Sequence, residues 1–191
     1  MHIQVIVGSV RRGRKAGAIG QWVASHVAAR SDMTVEIIDL RDWNLPYFDR
    51  EIPPIAGNYV DPLQRRWAAT ISRGDGYLFI CPEYNHGYPA PLKNAIDFIY
   101  AEWGHKPASI VSYGGMGGAR SVEQLRLVLI EMRIAPLRDA VHLLNVGPKF
   151  DGLAFTGDGA DDRQVRVVLE ELRWWGDALG HARGQVAPCP A

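Results

Sequence analysis

A loop rich in glycine and arginine follows the first apolar segment of the chain and has the residue types that bind a phosphate group. It reads Gly8-Ser9-Val10-Arg11-Arg12-Gly13-Arg14-Lys15 and leads into a helical pattern. Its glycines let the backbone approach a ligand, its amides face a helix N-terminus, and serine and arginine side chains donate to phosphate oxygens. A solvated basic loop is the alternative. We predict an anion site whose candidate ligands are Ser9, Arg11, Arg14 and Lys15.

The spacing within this loop argues against two common nucleotide-binding motifs. Gly8 and Gly13 are spaced as in a P-loop, but Arg14 stands where that motif has lysine and Lys15 where it has serine or threonine. The hydroxyl that would bind magnesium is therefore missing, which argues against NTP hydrolysis. The dinucleotide fingerprint G-x-G-x-x-G fails because Val10 stands at its second glycine. A mononucleotide phosphate fits the loop best.

Two further loops follow predicted strands and carry groups suited to a flat ligand. Pro82-Glu83-Tyr84-Asn85-His86-Gly87 comes directly after an apolar run and supplies an aromatic ring and an amide. The segment Ser112 to Arg120 has four glycines in five positions and offers N–H groups to an acceptor edge, although an ordinary flexible connection is the alternative. Ligands of open α/β sheets bind outside the carboxyl ends of the strands. Together the three loops supply the parts needed to hold FMN.

Short apolar runs alternate with helical patterns along the chain, which is typical of βαβ units. The predicted strands are Ile3 to Val7, Val35 to Ile38, Tyr77 to Cys81, Ser109 to Tyr113 and Ala140 to Leu144. The predicted helices are Ala16 to Ala29, Val60 to Arg73, Pro91 to Ala101, Val122 to Met132 and Asp162 to His181. We therefore predict an α/β fold, a three-layer, doubly wound, parallel five-stranded sheet of flavodoxin-like order 2-1-3-4-5. The linker-like segments are Asn44 to Gly57, Gly147 to Gly159 and the tail after Gly184.

The composition is that of one globular domain without a marked charge. The chain has 191 residues, 47% hydrophobic and 22% charged, with a formal net charge of zero, so no overall field favours nucleic acid or an anionic membrane as partner. We predict a single domain over residues 1–184 and a Pro-containing tail over residues 185–191. Cys81 and Cys189 indicate no disulfide or zinc framework, and no apolar run approaches the roughly 20 residues of a membrane span. A cytoplasmic location is expected.

Three blocks of the sequence resemble the NADPH-dependent FMN reductases of flavodoxin-like fold. The resemblance covers roughly Ile3 to Leu144. It implies FMN held without a covalent bond, reduction by NAD(P)H, electron transfer to a small-molecule acceptor such as free flavin, a quinone, an azo dye or a metal oxyanion, and a homodimer or homotetramer. The acceptor, and the choice between NADPH and NADH, stay open. The blocks are Gly8-Ser9-x-Arg11, Pro82-Glu83-Tyr84-Asn85 with Pro91-Leu92-Lys93-Asn94-Ala95-Ile96-Asp97, and Gly114-Gly115-x-Gly117-Gly118 with Arg120.

The resemblance also implies roles for individual positions. Ser9 and Arg11 would bind the FMN phosphate, whereas Arg14 stands where many members of the family have serine. Hydride would pass from nicotinamide to flavin N5, so neither a catalytic side chain nor a metal site is predicted. The remaining expected FMN contacts are Pro82, Glu83, Tyr84 and Asn85 along the isoalloxazine and ribityl, and Ser112, Tyr113, Gly114 and Gly115 at the pyrimidine edge.

Two other functional classes remain as alternatives. A flavodoxin-like electron carrier would bind FMN without oxidising NADPH directly, but such carriers tend to be acidic and this chain is neutral. A regulatory fold that binds another phosphorylated ligand would have no flavin affinity. The helix after Gly118 is apolar almost all round, which requires cover on more than one face and predicts self-association.

Overall fold

A computed structural model of the chain describes residues 1–185. Residues 186–191 lie outside the described residues, and with them Cys189 and all but the first position of the predicted tail. Cys81 is buried and free. The single-domain boundary at residue 184 therefore stays a prediction.

The central sheet is parallel and has the strand order β2-β1-β3-β4-β5, which confirms the predicted flavodoxin-like order. Every residue of the two middle strands, β3 and β4, is buried, because helices cover both faces of a parallel sheet. The strands are β1 (His2–Val7), β2 (Thr34–Asp39), β3 (Gly76–Pro82), β4 (Pro107–Tyr113), β5 (Ala135–Pro136) and β6 (Val141–Leu143).

The fifth position of the sheet differs from the single strand predicted over Ala140 to Leu144. Two short strands occupy it, and both pair in parallel with β4: β5 opposite Pro107 and Ala108, and β6 opposite the last three residues of β4. The N–H groups of Ala135 and Leu137 both donate to carbonyls at the start of β4, at 2.9 and 2.8 Å, so the missing N–H of Pro136 falls on the outer edge of the sheet, where proline is tolerated. The sheet edge resumes at Val141, within the predicted segment.

Helices pack on both faces of the sheet and complete the predicted three layers. One face buries Val5 and Val7 of β1 against α1 and α6, and the other buries Ile6 against α3, α4 and α5. Successive residues of a strand point to opposite faces, which explains this division. Among the α-helices of residues 1–185, α2 is the one that the sequence does not predict. The helices are α1 (Ala16–Ala28), α2 (Leu40–Trp43), α3 (Pro62–Ser72), α4 (Ala90–Asp97), α5 (Ala119–Glu131) and α6 (Gly159–Gln185).

The segment between Gly147 and Gly159, expected to be linker-like, is folded against the sheet layers. It contains an antiparallel hairpin of β7 (Phe150–Asp151) and β8 (Ala154–Phe155). Phe155 packs edge-on against Trp22 of α1, with ring centroids 5.1 Å apart. Lys149 Nζ lies 2.7 Å from Asp161 Oδ2, which ties the hairpin to the first turn of α6. The hairpin is therefore part of the α1 and α6 face.

A buried lysine lies at the amino edge of the sheet, opposite the loops discussed below. Lys106 is 8% exposed, and its Nζ donates to the carbonyls of Ile71 and Ser72, both at 3.2 Å, and to the Tyr77 hydroxyl at 3.0 Å. The two carbonyls belong to the last turn of α3, where a cation is favoured by the helix dipole. Burial nevertheless dominates and lowers the pKa of Lys106 to about 8, with the nearby Arg183 acting in the same direction.

This lysine gives a testable pH dependence of stability. Between about pH 8 and the ordinary lysine value of 10.5, the unfolded chain binds more protons at this position than the folded chain, so raising the pH relieves a cost of folding. We expect the unfolding free energy of the wild type, minus that of Lys106→Met, to grow by about 1–3 kcal/mol from pH 7 to pH 10. Urea titrations of both proteins at each pH measure the difference, and tyrosine and cysteine titrations common to both cancel. A difference that is flat or falls with pH would contradict the assignment.

Candidate functional site

The three glycine-containing or polar loops meet at the carboxyl edge of the sheet because their strands are neighbours. Strand β3 lies between β1 and β4, with Val7 opposite Ile80 and Pro82 opposite Tyr113. The loops are joined where they leave the strands: Gly8 N–H donates to the Ile80 carbonyl at 3.0 Å, and Glu83 N–H to the Tyr113 carbonyl at 2.9 Å. Their relative positions are thus fixed by backbone hydrogen bonds.

The loop after β1 presents two arginines to solvent at the start of α1. Arg11 and Arg12 are exposed, and the turn that carries them closes with the Arg14 N–H donating to the Arg11 carbonyl at 3.3 Å. Gly8 is required at the base, because a Cβ there would lie 3.0 Å from the Ile80 carbonyl oxygen and from Leu92. Two guanidinium groups beside a helix N-terminus form an arrangement that suits a phosphate dianion.

Arg14 has a different environment from Arg11. Its side chain is 9% exposed, and the guanidinium forms a two-pronged ion pair with Asp39 at the end of β2, with Nη1 2.8 Å from Oδ1. Nη1 also donates to the Ser9 carbonyl. Asp39 in turn accepts from the Arg41 N–H at 3.0 Å. Arg14 therefore holds the loop to the neighbouring strand, and a phosphate contact would have to compete with Asp39.

Lys15 lies toward the hairpin rather than toward Arg11. Its Nζ is 5.3 Å from the centroid of the Phe150 ring, close enough for a cation–π interaction. Lys15 is also the residue that precedes the first turn of α1. The predicted ligands Arg14 and Lys15 are thus both engaged with other parts of the fold, whereas Arg11 is exposed.

Ser9 and Tyr84 are brought into direct contact across two loops. Ser9 is fully buried, and its Oγ lies 2.6 Å from the Tyr84 hydroxyl. Either group can be the donor, since both hydroxyls donate and accept. This contact joins the loop after β1 to the loop after β3. Ser9 can therefore donate to a ligand only if its hydroxyl leaves the Tyr84 hydroxyl or contacts both groups at once.

The loop after β3 ends in a tight turn with strained backbone angles. Tyr84 and Gly87 exchange N–H···O=C bonds of 2.9 and 3.1 Å, and the two residues between them have φ values of 51° at Asn85 and 71° at His86. Positive φ at both central positions defines a type I′ turn, which usually selects glycine at the second. The side-chain amide of Gln124 donates to the His86 carbonyl at 3.0 Å. Tolerated strain of this kind is frequent at ligand sites.

Glu83 is used to connect this loop to helix α5. Its side chain is 8% exposed, and Oε1 lies 2.7 Å from Nη1 of Arg120. Oε2 accepts from the Arg120 backbone N–H at 3.2 Å, at the first turn of the helix. The Arg120 hydrogen bond holds the pKa of the Glu83 carboxyl below its usual value. Glu83 therefore stays ionised at neutral pH and orients the glycine loop that precedes Arg120.

The loop after β4 brings exposed glycine backbone close to Glu83. Gly114 is partly exposed and Gly115 is exposed. A Cβ on Gly114 would lie 3.0 Å from the Glu83 Cβ, whereas one on Gly115 would meet nothing within 4 Å. The open side at Gly115 is where a planar ring can approach the backbone. This part of the loop fits the predicted contact with the edge of a flat ligand.

The side chains of Ser112 and Tyr113 are buried beside this loop. Ser112 is fully buried, and its Oγ donates to the Gly117 carbonyl at 2.6 Å. The Tyr113 phenol is buried under the loop after β1, where the Ala16 backbone N–H interacts with it. Burial raises the pKa of Tyr113 well above its usual value, so the phenol stays neutral. The Ser112 hydroxyl is thus occupied within the protein, so a direct role for Ser112 toward a ligand would have to use its backbone groups.

A groove of 430 Å³ lies beside the loop after β1, on the side of the sheet where strand β2 lies. Val10 forms its wall nearest the loop, and Asn94 of α4 holds its outer rim by accepting from the Phe48 N–H at 2.9 Å and donating to the Pro46 carbonyl at 2.8 Å. The first residues of the segment Asn44 to Gly57, which the sequence predicts to be linker-like, form part of this groove. The remaining lining residues are Leu40, Arg41, Asn44, Leu45, Tyr47 and Pro91.

Strand order and loop positions together define a protein of flavodoxin-like fold, whose loops after β1, β3 and β4 meet at the carboxyl edge of the sheet. Residues 1–147 match the family model described as NADPH-dependent FMN reductase. The chain belongs to this family and is an NAD(P)H-driven flavin oxidoreductase. The predicted family, fold and enzyme class are thereby confirmed.

Individual relatives agree with this assignment. An NAD(P)H-dependent FMN reductase of Schizosaccharomyces pombe is 42% identical over 145 residues, which cover 74% of this chain and 72% of the relative. An NAD(P)H:quinone oxidoreductase of Solanum tuberosum is 30% identical over 176 residues, covering 88% of this chain and 89% of the relative. Among solved structures, the flavoenzyme NAD(P)H:(acceptor) oxidoreductase FerB of Paracoccus denitrificans superposes with a TM-score of 0.73 at 21% identity, covering 93% and 97% of the two chains, and supports the fold.

Proposed function

We propose that the chain binds FMN across the three loops and passes electrons from NADPH to a quinone or free flavin. The open backbone at Gly115 and the exposed guanidinium of Arg11 at the start of α1 both fit a flavin mononucleotide. FMN, when bound, accepts a hydride from the nicotinamide at N5 and returns the electrons to a second substrate. The observation that carries the proposal is the convergence of these loops on one sheet edge.

The side chains would bind and orient rather than transfer protons. Arg11 and the amides at the start of α1 hold the phosphate, and the backbone of Gly114 and Gly115 donates to the pyrimidine edge. Ser9 and Tyr84 lie between these two ends and would contact the ribityl and the ring. Glu83 acts through Arg120, and Arg14 through Asp39, so both position the loops. Pro82 and Asn85 complete the proposed wall of the ring site.

The choice of acceptor is supported by the relatives rather than by a dedicated pocket. Relatives named for FMN reduction and for quinone reduction both cover more than two thirds of the chain. A cleft that serves a bound flavin needs little selectivity, because the flavin carries the reactive atoms. For the nicotinamide substrate we favour NADPH, since Arg12 is an exposed cation beside the proposed phosphate site and can meet a 2′-phosphate.

The test is a spectrum of the protein reconstituted with FMN and desalted, followed by anaerobic addition of NADPH and then of a quinone. We expect a bound-flavin spectrum that bleaches with NADPH and recovers with the quinone. Bound flavin that responds to neither NADPH nor NADH would identify an electron carrier instead. No flavin affinity, together with no NADPH oxidation in excess FMN, would refute the proposal.

We infer that the protein forms a homodimer or homotetramer through α5. Leu127 and Ile130 are three residues apart on this helix and are 71% and 59% exposed, whereas Leu125 and Leu129 are fully buried in the sheet layer. Met116, in the glycine loop before α5, is a further exposed apolar residue, at 62%. A second copy would cover this surface and place an edge of the flavin cleft at the subunit boundary. Apolar patches of this kind favour protein contacts.

Leu127→Glu tests the interface. We expect it to convert the assembly to a monomer at micromolar concentration in sedimentation velocity, because a charge would be buried in an apolar contact. Val167→Glu, the same kind of change at a 51% exposed position of α6, is the control and should leave the mass unchanged. A Leu127→Glu protein with unaltered mass would contradict the interface.

The cytoplasmic location belongs to the same proposal. Cys81, the free cysteine among the described residues, is fully buried and has a pKa raised by burial to about 12. A thiol with so high a pKa is inert, which is consistent with a reducing compartment. No helix among residues 1–185 is long and apolar enough to cross a membrane.

A further inference from the structure

A hydrogen-bond chain supports the glycine loop from behind, and its outermost member is a histidine outside the three loops. His142 lies on β6, directly opposite Ser112 of β4. Its Nδ1 is 3.0 Å from Ser112 Oγ, and the same Oγ donates to the Gly117 carbonyl at 2.6 Å. The chain therefore runs from His142 through Ser112 to the backbone of Gly117.

The partners fix which ring nitrogen carries a proton. The Ser112 hydroxyl has one hydrogen, and the short contact to a carbonyl uses it, since a carbonyl only accepts. Ser112 Oγ must then accept from His142, so Nδ1 is protonated. Nδ1 also lies 3.4 Å from the Gly117 carbonyl oxygen, a second group that only accepts. These two contacts therefore require a hydrogen-bond donor at the position of Nδ1, and a side chain of the same size without a donor would not make them.

The supported carbonyl belongs to the most constrained part of the glycine loop. Gly117 and Gly118 have φ values of 64° and 75°, and a Cβ on Gly118 would lie 2.7 Å from the Ser112 Cβ. The Gly117 N–H closes the turn by donating to the Gly114 carbonyl at 3.1 Å. A peptide held at Gly117 thus sets the direction of the backbone at Gly114 and Gly115, which form the open side of the cleft.

We infer that His142 is a positioning residue for flavin, acting through Ser112 and Gly117 to orient the backbone donors at Gly114 and Gly115. The inference rests on the proposed FMN site. His142 has no role in the function proposed above, and its own backbone N–H is fixed separately by the Gln164 side chain at 3.1 Å. Its side chain can therefore be changed while β6 keeps its anchor to α6. Misdirected donors would weaken FMN binding and alter stabilisation of the negatively charged reduced flavin.

The experiment compares His142→Asn with His142→Leu. The amide nitrogen of asparagine occupies nearly the place of Nδ1 and can donate to Ser112, whereas leucine has a similar reach and no donor. We expect His142→Leu to bind FMN about tenfold more weakly, the effect of losing one hydrogen bond, and to shift the midpoint potential of bound FMN. His142→Asn should restore both values. Binding is followed by quenching of FMN fluorescence and the potential by equilibration with a redox dye.

A second variant covers the case in which His142→Leu fails to fold, as judged by circular dichroism. Ser112→Ala removes both the acceptor for His142 and the donor to the Gly117 carbonyl, and we expect it to weaken FMN binding at least as much as loss of the histidine donor. Equal FMN affinity and potential in His142→Leu and His142→Asn, or Ser112→Ala indistinguishable from wild type, would overturn the role of His142. A wild type that binds no FMN in the same titration would instead refute the proposed function, and the inference with it.

Discussion

Arg11→Ala is expected to lower the affinity for FMN by roughly 10- to 150-fold, a loss of about 1.5–3 kcal/mol. Arg11 is exposed at the turn before α1 and is not drawn into the ion pair that occupies Arg14. Its guanidinium is therefore available for a charge-assisted bond to phosphate, which is about twice as strong as a neutral one. Because the side chain is exposed, the substitution should leave the unfolding free energy within about 0.5 kcal/mol of wild type.

The matched control is Arg12→Ala, which removes the same charge from the next position of the loop. Both variants are titrated with FMN and with riboflavin, which lacks the phosphate. We expect Arg11→Ala to lose affinity for FMN while binding riboflavin like the wild type, and Arg12→Ala to retain most FMN affinity. If both variants lost FMN affinity equally, the loop would attract the phosphate through its overall positive charge and not through a specific contact of Arg11. Unchanged FMN affinity in Arg11→Ala would mean that the phosphate site is misplaced.

Periodicity and loop position were enough to predict the sheet order and the three loops. Buried runs such as Tyr77 to Cys81 read clearly as strands because β3 is covered on both faces. The split edge strand could not be foreseen, since Ala135–Pro136 is too short to produce a pattern and pairs only because β4 is already in place. The hairpin at Phe150 likewise forms only once other elements are in place, because it is stabilised by Trp22 of α1.

Candidate site residues were found by type, but their partners were not. A sequence shows that Arg14 is a cation, yet only the fold places Asp39 beside it and leaves Arg11 exposed. Ser112 was expected to face the ligand, whereas strand alternation turns its hydroxyl into the protein toward His142. The one available signal for His142 was its position within the predicted last strand, Ala140 to Leu144. Contacts between residues far apart in sequence leave no local pattern, which is why these assignments required coordinates.

Gly118→Ala is expected to produce the largest loss of both stability and FMN binding. Gly118 precedes α5 with φ at +75°, a conformation that costs an L-residue about 1–2 kcal/mol. Its new Cβ would also lie 2.7 Å from the Ser112 Cβ and 2.9 Å from the Tyr113 nitrogen, atoms of a fully buried strand that cannot move away. Overpacking of this kind adds about 1–3 kcal/mol, so we expect an unfolding free energy lower by about 2–5 kcal/mol.

Gly115→Ala is the matched control three residues earlier in the same loop. A Cβ at that position meets nothing within 4 Å, so urea titration should show stability within about 1 kcal/mol of wild type. The two variants separate the functions of the loop. The added methyl of Gly115→Ala would lie on the open side, where it reduces FMN affinity only if the ring approaches there, whereas Gly118→Ala should lose FMN binding because the loop cannot keep its turn. Wild-type stability in Gly118→Ala would show that the loop can relax, and that the tight packing against Ser112 does not set its shape.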